Sequence, residues 1–493
     1  MNVMNIFDYF FEESKSLQKD FVLGSSERAS FQKIYLWSLQ LAGYLQATVG
    51  ENNRIILMSQ NSVFFIVSYL GIMKSGNICV PLNPILEQEN LNYIISLTDC
   101  RLCFISEQVL SFRSINISVI NETNLDSILI KYKKYEIDSL DIHFDEKRIA
   151  EIIFTSGSTG SPKGVMLSHR NLRTNTNSII EYLALLSNDI MTVVLPFYYC
   201  YGLSILHTHL KVGASMVLNN NFALLGTVIN NMLEYHCTGF AGVPSHFQIL
   251  LRKSKTFKST IFPDLRYVTQ AGGKLHSTFI NEFTQTFPNI DFYVMYGQTE
   301  ATARLAFLPP NLLIDKIGSI GKAIPGVILQ VMNSNLSPVK PGETGEIVAK
   351  GDNVMIGYFN DEDATSEVLK NGWLFTGDMA TVDDEGFIYL VARKKEIMKI
   401  AGNRISPKEI EEVILSVPEV LDCTVEEVND ELQGAAIKAT IVLTDSYDLV
   451  LIKEKIVKSC REKLSAYKIP RFWEFTEKLQ LTPTGKKMKN VIS

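Results

Sequence analysis

Between Asn53 and Ile105 the chain alternates strand-like runs with helical ones, and this rhythm constrains the fold more than any other feature. Arg54-Ile-Ile-Leu-Met, Ile78-Cys-Val-Pro-Leu and Leu102-Cys-Phe-Ile have the length and apolar content of strands, and Ser62 to Lys74 and Leu86 to Leu97 have those of helices. Such alternation predicts a parallel sheet flanked by helices. It resumes with Met191-Thr-Val-Val-Leu, Gly213-Ala-Ser-Met-Val-Leu, Gly239-Phe-Ala-Gly-Val and Leu265-Arg-Tyr-Val as strands. From Gly318 to Tyr389 short runs separated by Pro-Gly, Glu-Thr-Gly, Asn-Gly and Glu-Gly turns predict a small β-rich subdomain. The last hundred or so residues return to mixed α/β, with helices near Pro407 to Leu415 and Leu449 to Leu464. The polar stretch from Lys131 to Arg148 reads as a solvated linker.

A chain of 493 residues divides into more than one folding unit. A formal charge of -6 and a pI near 5.8 give no global attraction to nucleic acid or to an anionic membrane, so any anionic ligand must be held locally. Met1 to Glu13 carries three acidic residues and makes a poor secretory signal. Val63 to Met73 is too short for a membrane span, so a buried helix and no transmembrane segment are expected. Of the seven cysteines only Cys100 and Cys103 have C-x-x-C spacing, and with no second pair or nearby histidines they read as part of a core strand rather than a zinc site. Reduced thiols and a cytoplasmic location follow as expectations.

Five clusters carry chemistry. Thr155-Ser156-Gly157-Ser158-Thr159-Gly160-Ser161-Pro162-Lys163-Gly164 follows the apolar run Ile152-Ile153-Phe154. Its glycines let backbone N–H groups approach an anion, its hydroxyls donate to phosphate oxygens, and Lys163 adds a positive charge. A Walker-type phosphate loop would require a hydroxyl after the lysine, and Gly164 stands there. Tyr296-Gly297-Gln298-Thr299-Glu300 follows Phe292-Tyr-Val-Met at an expected strand end, where an aromatic can stack a base, a hydroxyl can contact phosphate and a carboxylate can hold magnesium. Thr376-Gly377-Asp378 offers a carboxylate to ribose hydroxyls. Arg393 to Ile405 is a basic, glycine-containing strip at the apparent domain junction, and Pro483-Thr484-Gly485-Lys486 puts a lysine on a tight turn near the C-terminus.

In this order the clusters resemble the adenylate-forming superfamily of acyl-CoA synthetases, luciferases and peptide-synthetase adenylation domains. Weaker landmarks extend the resemblance over nearly the whole chain: Ile72 to Pro84, Gly242-Val-Pro-Ser, Gly342-Glu-Thr-Gly-Glu-Ile, Gly357-Tyr358 and Ala466-Tyr-Lys-Ile-Pro. The resemblance implies an α/β protein with a large N-terminal domain of packed layers over residues 1–392, a hinge at 393–399 and a small mobile α+β domain over 400–493. It implies that a carboxylic acid attacks the α-phosphorus of ATP, releasing pyrophosphate, and that a thiol then displaces AMP. Lys486 would bridge the substrate carboxylate and α-phosphate, Thr299 would donate to that phosphate, Glu300 would hold Mg2+, and Thr155 to Lys163 would cover the outer phosphates. Tyr296 would stack on adenine beside Gly272 and Gly273, while Asp378 and Arg393 would hold ribose. Lys395 falls on the hinge, and the strip with Lys399, Gly402 and Arg404 would enter for thioester formation.

The sequence departs from the family pattern in three places, of which the third bears on the acyl pocket. Ala392 stands where glycine commonly precedes the arginine, Lys274 follows the double glycine and is expected on the surface, and Tyr199 replaces a frequent histidine in Leu195-Pro-Phe-Tyr-Tyr-Cys-Tyr-Gly. No Asp or Glu lies between Leu195 and Leu210, which disfavours an α-amino acid substrate. Tyr199, Tyr201, His246, Gln270, Gly297 and Arg304 are the candidates for the acyl pocket, Arg304 either meeting a polar or anionic tail or closing a salt bridge inside the protein. A small or medium, partly polar acid is expected rather than a long alkyl chain. The acceptor is CoA, with Lys468 and Arg471 near the expected nucleotide, or alternatively the phosphopantetheine of a carrier protein.

Overall fold

The computed structural model describes residues 4–25, 27–132, 144–155, 162–394, 396–400, 403–430 and 434–479. Six consecutive strands of its largest sheet are parallel, in the order Asp20–Leu23, Ser215–Leu218, Ile190–Val193, Gly239–Gly242, Tyr267–Gln270 and Asp291–Tyr296. A second sheet runs Gly357–Tyr358, Lys163–Ser168, Ile149–Thr155, Ile78–Pro81, Arg54–Met58, Leu102–Ile105 and Ser118–Ile120. Its last five strands are parallel, as the alternation predicts. Between the sheets lies the helix Val63–Lys74, apolar all round and buried along its length, with Ser62 capping its N-terminus. No described helix is long and apolar enough to cross a membrane. Cys103 lies in the strand Leu102–Ile105, and both it and Cys100 are buried.

The β-rich region expected over Gly318 to Tyr389 is present as Ser319–Ala323, Val327–Met332, Gly345–Gly351, Trp373–Val382 and Ile388–Arg393. It is continuous with the larger sheet rather than separate, because Ala306–Leu308 turns back antiparallel on Asp291–Tyr296 and passes the hydrogen-bond ladder on. The stretch read as a solvated linker is anchored at its C-terminal end. There Glu146 pairs with Arg173 at 2.8 Å and Arg148 with Glu51 at 3.0 Å, and Phe144 is buried; residues 133–143 lie outside the described residues.

Beyond Arg393 the hairpin Met398–Ile400 and Asn403–Ile405 precedes the helix Pro407–Leu415, and a three-stranded sheet follows with the helix Leu449–Lys463. Glu412 on the first of these helices docks this region against the rest. It accepts from Ser277 N at 3.1 Å and lies 3.1 Å from Lys274 Nζ and 3.4 Å from His276 Nδ1. Desolvation would raise its pKa, but the histidine, the lysine and the serine N–H together hold it below the ordinary carboxylate range. Lys274 is therefore an interface residue, not the free surface lysine its sequence position suggests.

Candidate active site

The site lies at the C-terminal ends of the parallel strands, where an open α/β sheet places its ligands. Strand Asp291–Tyr296 delivers Gly297, Thr299 and Glu300 in a short turn beyond its end. Gly297 has to be glycine, because a Cβ there would sit 2.0 Å from the carbonyl oxygen of Ala303. The turn closes on Thr302, which adopts φ 66° and ψ -63° while Ala303 N donates to Ala301 O at 2.7 Å. This γ-turn is strained for a β-branched residue, by about 1–3 kcal/mol. Asn353, fully buried, holds it in place: its side-chain amide donates to Arg304 O at 2.9 Å and its backbone carbonyl accepts the Thr302 hydroxyl at 2.7 Å. Strain is thus braced on the turn that carries Thr299 and Glu300, and such braced strain is characteristic of functional positions.

Glu300 accepts the Tyr358 hydroxyl at 2.9 Å. Burial first, and the Glu300 charge second, push that phenol above its ordinary value. Tyr358 is brought there by pairing of Gly357–Tyr358 with Lys163–Ser168, and Lys163 Nζ lies 5.2 Å from its ring centroid and 3.8 Å from Asp361. Thr155 and Lys163 face each other as the last pair of an antiparallel ladder. The phosphate-loop motif thus connects strand to strand, unlike a Walker loop, which runs from strand to helix. Ser156, Gly157, Ser158, Thr159 and Gly160 lie outside the described residues.

The register of Trp373–Val382 against Ile388–Arg393 sets Asp378 opposite Arg393, and Nε to Oδ1 is 3.1 Å. Tyr296 donates its hydroxyl to the other Asp378 oxygen at 2.7 Å. The Arg393 guanidinium is raised above its ordinary value by Asp378 foremost, against desolvation, and by Tyr296, Glu396 and Glu300 more weakly. The expected ribose and magnesium residues thus share one electrostatic neighbourhood. Gly272 sits at φ +84°, the left-handed conformation that glycine takes without cost, and with Gly273 it is exposed on the edge of the site. Lys395, Gly402 and Lys486 lie outside the described residues; Lys399 and Arg404 fall on the two strands of the short hairpin.

On the acyl side the helix Cys200–Val212 begins after a loop that Asn61 holds from both sides, donating to Leu195 O at 2.9 Å and accepting from Phe197 N at 2.8 Å. Its first turn puts the Cys200 sulfur 3.5 Å from the Thr299 hydroxyl, and Tyr201 is buried with its hydroxyl on Thr269. Tyr199 takes the Asn83 amide at 3.4 Å, and Gln270 is buried and donates to Gly273 O at 2.7 Å. His246 lies against Phe222 with ring centroids 4.2 Å apart, and burial lowers its pKa to about 4. Arg304 is buried over the Tyr201 ring at 4.1 Å, and none of its described contacts is a carboxylate, so the internal salt bridge considered for it is not formed among the described residues. Cys200, Thr302 and Asn353 are not among the residues that the sequence singles out, and Tyr358 stands there only in a family landmark. No sequence signal reveals Thr302, whose importance lies in a dihedral angle.

The AMP-binding enzyme family matches residues 11–359, and its C-terminal domain matches residues 409–486. The chain belongs to this family of AMP-binding enzymes. Among similar proteins, a long-chain-fatty-acid–CoA ligase of Escherichia coli O6:H1 is 28% identical over 93% of this chain and 89% of its own length. A 4-coumarate–CoA ligase-like protein of Arabidopsis thaliana is 29% identical over 95% of this chain and 85% of its own length. The fold is that of an anthranilate CoA ligase solved with anthranoyl-AMP, with a TM-score of 0.92 at 22% identity, covering 99% of this chain and 96% of that one. It is also that of the o-succinylbenzoate CoA synthetase of Bacillus subtilis solved with ATP and magnesium, with a TM-score of 0.84 at 24% identity over 99% and 98%.

Proposed function

We propose that this AMP-binding enzyme is an acid–CoA ligase: it joins a carboxylic acid to AMP at the expense of ATP and transfers the acyl group to the thiol of CoA. One observation carries the reading. Lys163, Glu300 with Tyr358, and Asp378 with Arg393 come from both sheets and converge on one another, the set of charges and donors that a nucleoside triphosphate requires. CoA is favoured over a carrier protein because the similar proteins are CoA ligases.

In the first step a substrate carboxylate oxygen bonds to the α-phosphorus of ATP as the bond to pyrophosphate breaks. Charge gathers on the phosphoryl oxygens, so positioned donors and cations lower the barrier. The Thr299 hydroxyl serves the α-phosphate, Lys163 and the loop before it serve the outer phosphates, and Lys486 neutralises charge between carboxylate and phosphate. Glu300 fits a magnesium site, since one carboxylate oxygen is engaged by Tyr358 and the other is left for a metal; a bound Mg2+ would neutralise phosphate charge. Asp378 accepts from the ribose hydroxyls with Arg393 fixing its orientation, and Tyr296, tied to the same carboxylate, lines the base. In the second step the CoA sulfur attacks the acyl carbon and AMP leaves. The region after 399 turns about Lys395 between the steps, withdrawing Lys486 and presenting the hairpin of Lys399 and Arg404 with Gly402 between them. A small or medium polar acid is favoured over a long alkyl chain, because the space beside the helix Cys200–Val212 is lined by polar groups, among them Ser204, Thr208, His209 and Arg304. The cytoplasm, which supplies both ATP and CoA, is the proposed location.

Pyrophosphate release from MgATP over a panel of carboxylic acids, with and without CoA, tests this reading. Release that depends on the acid, with CoA required for multiple turnover and Lys486→Ala inactive in the first step, is the expected result. ATP cleavage independent of any acid, or turnover only with a carrier protein, would overturn it.

A further inference from the structure

The buried end of the acyl side carries an unusual pair of groups. Arg304 is 3% exposed, and its contacts among the described residues are the Met295 sulfur at 3.4 Å, its neighbour's carbonyl Ala303 O at 3.1 Å, the Tyr182 hydroxyl and the Tyr201 ring, none of them a carboxylate. The buried cation Lys74, by contrast, has an acid partner, Asp8 at 2.6 Å. A buried guanidinium without a carboxylate is costly unless a ligand takes its donors. His209, 1% exposed, is the second group. Its Nδ1 lies 2.9 Å from Ile205 O and therefore carries the proton, which leaves Nε2 a bare acceptor, and Nε2 has no partner among the described residues. Both residues line one cavity of about 20 Å3, together with Tyr201, Ser204 and Thr208.

That cavity is within reach of the reaction centre. Ser204 also borders the smaller cavity of about 10 Å3, whose wall includes Cys200, Thr302 and Ala303. Cys200 touches the Thr299 hydroxyl. Cys200, Ser204 and Thr208 are four residues apart on one helix, so each step is about 6 Å deeper. At about 1.2 Å per bond of an extended chain, the Ser204 to Thr208 level lies about five to ten bonds from a carboxylate held at Thr299.

Resting on the ligase reading above, we infer that Arg304 and His209 select an acid that carries a hydroxyl group at its far end, five to ten bonds from the reacting carboxylate. A hydroxyl accepts from the Arg304 guanidinium and donates to His209 Nε2, satisfying both. A carboxylate would satisfy the arginine but turn lone pairs toward the bare histidine nitrogen, and a methyl group would leave both unpaired.

The test uses the full-length enzyme with MgATP and CoA and three series of acids of matched length, ending in methyl, hydroxyl or carboxylate. The expected result is a kcat/KM for the hydroxyl-ended acid about 10- to 100-fold above its methyl-ended match, and above the carboxylate-ended one. In Arg304→Met and His209→Leu this ratio should fall to about one, while His209→Gln, which keeps an acceptor, should retain it. The ratio is taken within each protein, so a partly folded variant does not disturb it. Preference for methyl or carboxylate ends at every length, or an unchanged ratio in Arg304→Met, would overturn the inference and leave the ligase reading standing. Pyrophosphate release with none of the acids would overturn both.

Discussion

Replacing Glu151 by glutamine should stabilise the protein at alkaline pH and leave it nearly unchanged at acid pH. Glu151 is 1% exposed, accepts the Tyr69 hydroxyl at 2.7 Å, and through that hydroxyl meets His207 Nε2, also at 2.7 Å. Burial pushes its pKa up from 4.5 to about 7, against the pull of the Tyr69 hydrogen bond. The folded protein thus holds this proton more tightly than the unfolded chain, and folding is penalised wherever the unfolded chain has already lost it. The penalty is absent below 4.5, grows as pH rises to about 7, and is constant above that. Its full size is about 3 kcal/mol. Glutamine has no proton to lose and still accepts from Tyr69. His207 works in the opposite direction, since burial lowers its pKa from 6.5 to about 3 and its contribution fades as pH falls through that range. It is common to both proteins and cancels in their difference. Thermal unfolding of the two proteins at pH 5 and pH 8 is the assay. At about 2 °C per kcal/mol for a unit of this size, the variant should gain about 6 °C at pH 8 and at most about 2 °C at pH 5. An equal gain at both pH values would mean that the carboxyl titrates normally, and a loss at pH 8 would mean that the charged form is stabilised; either refutes the burial argument.

Glu300→Gln should lower pyrophosphate release about 100-fold or more while leaving metal-free nucleotide binding, followed by calorimetry, within a few-fold of the parent; equal losses in both would show that Glu300 shapes the pocket rather than holding magnesium. Asp378→Ala removes the acceptor on which Tyr296 and Arg393 converge, and should raise KM for ATP about 10- to 100-fold with a smaller change in kcat. An unchanged KM would remove Asp378 from the ribose site. Glu412→Gln breaks the contacts to Lys274 and His276 that dock the C-terminal region in the arrangement described. The half-reaction served by that arrangement should slow and the other should gain, so the ratio of adenylation to thioester formation from preformed adenylate should move about 5-fold or more. Two half-reactions that change by the same factor would show that this contact gives stability alone.

The strands Arg54–Met58, Ile78–Pro81 and Leu102–Ile105 and the helix Pro407–Leu415 could be read from the sequence because their signals are local: short apolar runs, turn residues between them and a proline at the first helical position. The continuity of the larger sheet could not. It depends on Ala306–Leu308, three residues that turn back on the strand before them, and no periodicity can be read in so short a segment. The docking role of Lys274 was hidden for a similar reason, since its partner Glu412 lies far along the chain.

The same distinction divides the site. The groups proposed to hold phosphate and ribose are few and at fixed spacing within single motifs, so Lys163, Glu300 and Asp378 stand in segments whose composition alone suggests their chemistry. The acyl side is a product of packing. Arg304 follows a strained turn braced by Asn353, Tyr201 is set by a helix whose first turn passes so close to Pro196 that a Cβ on Gly202 would lie 2.0 Å from its carbonyl oxygen, and His209 meets them from two turns further along that helix. Each of these residues is unremarkable in its own segment. What makes them a recognition site is that a charge without an acid and a nitrogen without a proton face one small cavity, and both deficits are measured against neighbours that only the fold supplies.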